Sequence, residues 1–153
     1  MGKTGLRPFW VPARRGLHAA LLAAALVRPA AAAPEQDYIL YCMGCHGASA
    51  QGVPGRIPPL AGALVRFMRT SAGRNYVLRV PGAANSVLSD AQLAAVLNWL
   101  AERYRASGDP RPEPFTTPEV TAARHNPLAD VQAKRHEVVQ ELAATGTAPE
   151  SSY

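Results

Sequence analysis

Two stretches in the second half of the chain carry apolar side chains every three or four positions, which predicts two amphipathic helices. The first stripe consists of Leu93, Val96, Leu97, Leu100 and Tyr104. Ser89 and Gln92 precede this stripe with the spacing of a capping box, in which two side chains satisfy the free backbone N–H groups at a helix start. We therefore predict a helix over residues 90–104.

The second stripe lies in the C-terminal tail and consists of Leu128, Val131, Val138 and Leu142. Two sites in this tail, Thr117-Pro118-Glu119 and Asn126-Pro127, place a proline directly after a capping residue and so predict two helix starts. Gly146 ends the stripe. Because an apolar stripe must be covered, we expect the second tail helix to pack on the preceding part of the chain.

Shorter patterns predict further helices between residues 34 and 80. Residues 34–45 have apolar or cysteine side chains at helical spacing, whereas residues 46–59 hold three glycines and three prolines and are predicted to be a loop. Residues 62–70 and 74–80 each predict a short helix, with a turn at Gly73 between them. No stretch predicts a β-strand, so the fold class indicated is all-α.

Residues 1–33 have the pattern of a secretory signal peptide. Arg14 and Arg15 close a basic segment, residues 16–27 form an apolar stretch of 12 residues, and small residues follow for cleavage near Ala32-Ala33. Twelve apolar residues are too few to span a bilayer comfortably, which disfavours the alternative of an uncleaved anchor. The pattern predicts export to the bacterial periplasm, an oxidising compartment, with membrane contact only transient and through partners.

Composition and charge exclude several classes of protein. The 153 residues are 48% apolar and 18% charged, which excludes a disordered chain, and two cysteines are too few for a disulfide scaffold. The net charge of +5 belongs to the leader, because residues 34–153 hold 11 basic and 11 acidic side chains. A nucleic-acid partner is therefore not indicated. Composition shifts at the Gly- and Pro-rich residues 107–114, which predicts a domain over residues 34–105 and an extension over residues 106–153.

The motif that carries chemistry is Cys42-Met43-Gly44-Cys45-His46, the C-x-x-C-H signature of covalent haem attachment. Two thiols three positions apart can reach the two vinyl groups of one haem, and the adjacent imidazole can bind the iron as the proximal ligand. The second imidazole nitrogen needs an acceptor, for which we expect a carbonyl of residues 57–59. A zinc site or a redox dithiol is the alternative, but few further ligands and no βαβ pattern support either.

With this motif at the end of the first helix, a Pro- and Gly-rich loop after it and the amphipathic segment LSDAQLAAVLNWL, the chain resembles class I c-type cytochromes over residues 34–105. The resemblance implies a cytochrome c-like fold, in which the N- and C-terminal helices cross around one haem c. It also implies electron transfer with a redox partner protein, such as a dehydrogenase, oxidase or reductase, or a place as the electron-transfer subunit of one. The chain itself is then not an enzyme.

The sequence departs from the family pattern at the second axial ligand of the iron. Val80-Pro81 stands where the family usually has a methionine, and valine cannot bind iron. Three alternatives stay open: Met68 as the distal ligand, an open distal site, or ligation by a tail histidine, His125 or His136. An open site would make the protein one that binds or senses a small ligand such as NO, CO or peroxide.

Five arginines between residues 56 and 79 have no acidic residue among them. Three interpretations are compatible: a solvated basic face, a docking surface for an acidic partner, and neutralisation of the two haem propionates, for which Arg is well suited. We expect one or two of Arg56, Arg74 and Arg79 to contact propionates.

Overall fold

The structure is a computed structural model and describes residues 1, 2, 5 and 33–148. The predicted signal peptide therefore lies almost wholly outside the described residues. The described part contains eight helices and one isolated β-bridge, between Val53 and Ile57. The helices are α1 Pro34–Tyr41, α2 Met43–His46, α3 Ala63–Phe67, α4 Ser71–Arg79, α5 Pro81–Ala84, α6 Asp90–Arg103, α7 Thr117–Arg124 and α8 Val131–Ala144. The predicted all-α class is confirmed, and no helix within these residues has the length and apolarity to cross a membrane.

Helix α6 is the centre of the core and was predicted correctly. Ser89 and Gln92 form the expected capping box at its start, and Leu97 is buried, as the predicted register requires. The buried face of α6 packs on α1, where the rings of Tyr38 and Trp99 lie 5.7 Å apart between centroids. The N-terminal and C-terminal helices of the predicted domain therefore pack against each other.

The first helix is shorter than predicted, because α1 ends at Tyr41 and the motif forms a separate turn, α2. Cys42 stands at the junction with φ −125° and ψ −36°, outside helical geometry. The hydroxyl of Tyr38 donates a hydrogen bond to the carbonyl of Gly47 and ties the end of α2 back to α1.

Helix α4 begins three residues earlier than predicted. The side chain of Thr70 accepts a hydrogen bond from the backbone N–H of Gly73, so Gly73 lies in the first turn of α4 and not in a turn before it. A β-carbon at Gly73 would lie 2.0 Å from the carbonyl oxygen of Phe67. This glycine is therefore required by the close approach of α3, and not by an unusual backbone conformation.

The two tail helices exist, but both starts differ from the prediction. Thr116, and not Thr117, caps α7, with a capping box to Glu119. Helix α8 begins at Val131 after the cap Asp130, whose carboxylate accepts from the N–H of Ala133 at 2.9 Å. The segment after Asn126 is not helical because its backbone is bound elsewhere: the N–H of Leu128 donates to the carbonyl of Arg79 at 2.9 Å.

The tail packs on the preceding helices through two apolar clusters. Phe115 and Val120 join the main core that α1 and α6 form. Val138 and Leu142 of α8 are buried against Phe67 of α3 and Tyr76 of α4. The predicted stripe of the second tail helix thus packs on α3 and α4, as we expected.

Candidate haem site

A largely apolar cavity of about 510 Å³ lies beside the C-x-x-C-H turn. Its lining comes from nearly every helix of the described residues, so the whole fold contributes to its shape. One side is formed by the motif and the loop after it, with Cys42, Cys45, His46, Ile57, Pro58 and Pro59. The remainder includes Leu64 and Phe67 of α3, Tyr76 and Val77 of α4, Val80, Ala83, the α6 residues Leu93, Val96, Leu97 and Leu100, and Val131, Gln132 and Arg135 of α8.

His46 is oriented for metal binding by the loop that follows it. Its Nδ1 lies 3.1 Å from the carbonyl oxygen of Pro58. Because a carbonyl can only accept, Nδ1 carries the proton and Nε2 keeps its lone pair for a metal. Burial lowers the pKa of His46, although the bond to Pro58 opposes this, so the ring is neutral at pH 7. The expected acceptor among residues 57–59 is confirmed.

Backbone hydrogen bonds fix the loop that carries Pro58. The N–H of Gly52 donates to the carbonyl of His46 at 2.9 Å, and the N–H of Leu60 donates to the carbonyl of Ala50 at 2.9 Å. Gly52 has φ +68°, and a β-carbon there would lie 2.2 Å from the carbonyl oxygen of Ile57. Only glycine fits this position, so the turn that delivers the carbonyl of Pro58 depends on it.

The two cysteines are not joined to each other and both line the cavity. Cys42 is half-buried and Cys45 is exposed. Burial raises the pKa of Cys42, with further contributions from Asp37 and Cys45, so the unreacted chain holds this residue as a thiol. Among the residues from 33 to 148, no three His, Cys, Asp or Glu side chains come together as a metal site. The zinc alternative therefore finds no ligand set there.

The cavity and its donors fit a covalently attached haem. Its volume lies within the range of about 300–1,000 Å³ that is usual for cofactor sites. Two thiols with the C-x-x-C spacing and one neutral, fixed imidazole meet at its wall, and the remaining lining is mostly apolar. Arg56 and Arg135 are the charged side chains that line it within the described ranges, and both have the sign that suits haem carboxylates.

The structure does not bring the predicted distal ligand to this cavity. Met68 is buried in the main core and lines a separate cavity of about 60 Å³ beside Asn98 and Ala101. The tail histidines are exposed and do not line the haem cavity either. Val80 does line it, in agreement with its place in the family pattern. From α3 it is Ala63, Leu64 and Phe67 that line the haem cavity, and Met68 at the end of this helix does not.

Two of the three arginines predicted for propionates are directed elsewhere. Arg74 forms a two-pronged pair with the carboxylate of Glu119, both distances being 2.6 Å. Arg79 donates to the carbonyl of Asn126 at 2.6 Å. Both therefore hold the C-terminal extension, and only Arg56 of the predicted three lines the cavity. The partners of Arg74 and Arg79 come from a segment far along the chain, and a propionate contact of either arginine stays a prediction.

The sequence interpretation missed Arg135 and Gln132, which α8 brings to the cavity. Arg135 is only 7% exposed, and its guanidinium lies 5.3 Å from the ring centre of Phe67. A signal for Arg135 does exist in the sequence. It lies four residues after Val131 and three before Val138, so it fills the gap in the apolar stripe of the tail.

Comparison with known proteins places these observations in a family. The chain is 33% identical over 113 residues to the cytochrome c-552 of Thermus thermophilus, covering 60% of this chain and 84% of that protein. A cytochrome c-552 from one strain of the same species matches with the same identity and length, with 74% of it covered. No family model matches the chain. The chain belongs to the class I c-type cytochromes, and it is an electron-transfer protein with one haem c.

Proposed function

We propose that the protein is an exported, periplasmic electron carrier, in which Cys42 and Cys45 bind the haem by thioether bonds and His46 is the proximal iron ligand. The observation that carries the proposal is the C-x-x-C-H turn beside an apolar cavity, with the imidazole held by Pro58. Residues 1–33, with their signal-peptide pattern, support the location.

Haem iron alternates between ferric and ferrous states and so carries one electron. The chain contributes a proximal imidazole that cannot turn, because Nδ1–H donates to a carbonyl whose own loop is fixed by Gly52. Second-shell bonds of this kind set both the orientation and the basicity of a histidine ligand. The apolar walls from α3, α4 and α6 keep water from the site and keep its polarity low. A site that is already rigid needs little rearrangement when the charge changes.

Electron exchange takes place at the mouth of the cavity beside α1. Cys45 is exposed, and Tyr41, which lines the cavity, is 50% exposed. Leu40 next to it is 69% exposed, and Ile39 is 47% exposed. A redox partner protein docks on this apolar patch, since transient redox complexes need only a small interface. Leu40→Glu should slow reduction by the physiological donor without changing the reduction potential, and equal rates would refute this docking site.

The test of haem carriage uses the full chain expressed with and without a c-type maturation system. The matured protein should keep its haem after denaturation and acidified acetone, and its redox titration should follow a one-electron curve. Cell fractionation should place it in the periplasm. Haem that acidified acetone extracts from the wild type would refute thioether attachment.

A second candidate function is the binding of a small ligand at the iron. The observation that favours it is that no methionine and no second histidine lines the haem cavity within residues 33–148. If the sixth position is open, ferrous protein should bind CO with a large shift of the haem absorption bands. If the spectrum is unchanged by CO, the position is filled and the protein is a carrier only.

A further inference from the structure

We propose that Arg135, on the C-terminal extension, pairs with a carboxylate of the haem and thereby helps to set the reduction potential of the iron. The inference rests on the haem site proposed above. It assigns the C-terminal extension, residues 106–153, a place in the haem pocket through Arg135.

The position of Arg135 carries the proposal. Arg135 lies 89 residues after His46 in the sequence, yet its side chain lines the haem cavity. The residue is 7% exposed. The guanidinium lies 5.3 Å from the ring centre of Phe67, which lines the same cavity. Phe67 is stacked on Tyr76 with 5.3 Å between ring centres. The guanidinium of Arg135 therefore lies beside a packed pair of aromatic rings.

The extension is held against the domain at several independent points, so Arg135 is not on a loose arm. Arg74 binds the carboxylate of Glu119, and the backbone N–H of Leu128 donates to the carbonyl of Arg79. Arg124, 6% exposed, donates to the carbonyls of Ser86 and Leu88, the latter at 2.7 Å. These contacts fix α7 and the start of α8 next to the cavity wall.

The two carboxylates of a haem explain why an arginine suits position 135. A c-type haem brings two carboxylates, and a buried carboxylate needs a cation and several hydrogen bonds. A guanidinium offers a planar fork that matches a carboxylate and stays charged when buried. Arg56, the other charged side chain of the described lining, is exposed, so water screens its charge more strongly. Arg135 should therefore act on the iron more strongly than Arg56.

Two measurable consequences follow from a buried cation at this place. A positive charge near the iron favours the ferrous state and raises the reduction potential. It also keeps the haem carboxylate ionised near neutral pH, so the potential does not vary with pH there. The other titratable and charged groups that line the cavity come from α1, its junction with α2, α2 itself, the loop after α2, and α4. They are Tyr41, Cys42, Cys45, His46, Arg56 and Tyr76.

The test compares Arg135→Gln with Lys134→Gln in the full, haem-loaded protein. Lys134 is the neighbouring residue, pairs with Glu137 on the surface and does not line the cavity, so it controls for the loss of one charge. Arg135→Gln should lower the potential, and the potential should then fall with rising pH near neutrality, towards one proton per electron. Lys134→Gln should leave both properties as in the wild type. Equal potentials and equal pH dependence in the two variants would overturn the proposal.

If Arg135→Gln folds poorly, the potential of Arg135→Lys and the pH dependence of the wild-type potential still test the proposal. The lysine variant should restore the potential in part, because it keeps the charge but loses the fork. The wild-type potential should be independent of pH near neutrality, and a clear slope in the wild type would contradict an ionised, paired carboxylate. If Arg135→Gln keeps covalent haem but its potential is unchanged, the role of Arg135 is wrong while the haem carrier stands. If no variant and no wild type holds covalent haem, the proposed function itself is wrong.

Discussion

The two sides of the haem cavity are built in different ways. The attachment side comes from one continuous stretch, from α1 to Leu60, and its key hydrogen bond joins His46 and Pro58, which are 12 residues apart. The extension side comes from α4, α5 and α8, and its key contacts join distant residues, as in Arg74 with Glu119, which are 45 residues apart. Backbone hydrogen bonds hold the first side, whereas arginine side chains supply most of the polar contacts that hold the second.

This difference separates the two tasks of the site. The attachment side supplies the groups that bind the cofactor, and its backbone bonds are insensitive to pH and salt. The extension side supplies cover and charge, and its ion pairs respond to both. Changes on the first side should therefore affect whether haem is held. Changes on the second side should affect stability and potential while the haem stays attached.

The largest effect is expected on the attachment side. Replacing both Cys42 and Cys45 by Ala should abolish covalent haem, because no other thiol exists in the chain. Each single replacement should leave poorly matured protein with at most one thioether bond. Mass spectrometry of the denatured protein measures the added haem directly. Full haem mass on the double variant would contradict attachment at this motif.

On the extension side, Arg124→Gln should destabilise the folded protein by about 3 kcal/mol, because it leaves the buried carbonyl of Leu88 and the partly buried carbonyl of Ser86 without their charged donor. Covalent haem should be retained. Denaturant unfolding of the haem-loaded protein gives the free energy. Arg111→Gln is the matched control, since Arg111 is an exposed arginine paired with Glu102 and should change stability little. Equal effects in the two variants would show that Arg124 does not anchor the extension.

Met68 is buried in the core and does not line the haem cavity. Replacing it should therefore show whether this residue only packs in the core or also binds the iron. Met68→Ala should cost about 2–3 kcal/mol, as is usual when a buried methionine is truncated, whereas Met68→Leu should cost about 1 kcal/mol or less. Neither change should alter the haem absorption spectrum. Loss of the ferric absorption band of methionine–iron ligation in both variants would instead establish Met68 as the distal ligand and require a different position of α3.

The smallest effect is expected from Glu119→Gln, at about 1 kcal/mol, because the pair with Arg74 is partly exposed. The hydrogen bonds from Arg74 hold the pKa of Glu119 below its usual value. A carboxyl whose pKa is lowered by folding stabilises the protein above its unfolded pKa, and this contribution is lost as pH falls through the folded pKa. The stability difference between wild type and Glu119→Gln should therefore shrink below about pH 4.5, near the ordinary pKa of glutamate. A constant difference down to low pH would disprove the pairing.

The sequence was informative where contacts are local. The capping box of Ser89 and Gln92, the buried stripe of α6 and the carbonyl acceptor of His46 were all predicted, because each depends on residues close together in the chain. The partners of Arg74 and Arg79 were not, since they lie more than 40 residues further on. The start of α8 was misplaced for the same reason: the N–H of Leu128 is taken by a distant carbonyl, which no local pattern reveals.

The unequal sequence separations of the two sides also bear on the order of folding. Closing a loop of 45 residues costs only about 1 kcal/mol more in chain entropy than closing one of 12, so the equilibrium penalty is small. The short loop nevertheless closes sooner, because nearby segments meet more often. The turn with both thiols and the fixed imidazole can thus form while α8 is still undocked. In that order of folding, the cysteines are accessible to the haem before α8 covers the extension side of the cavity.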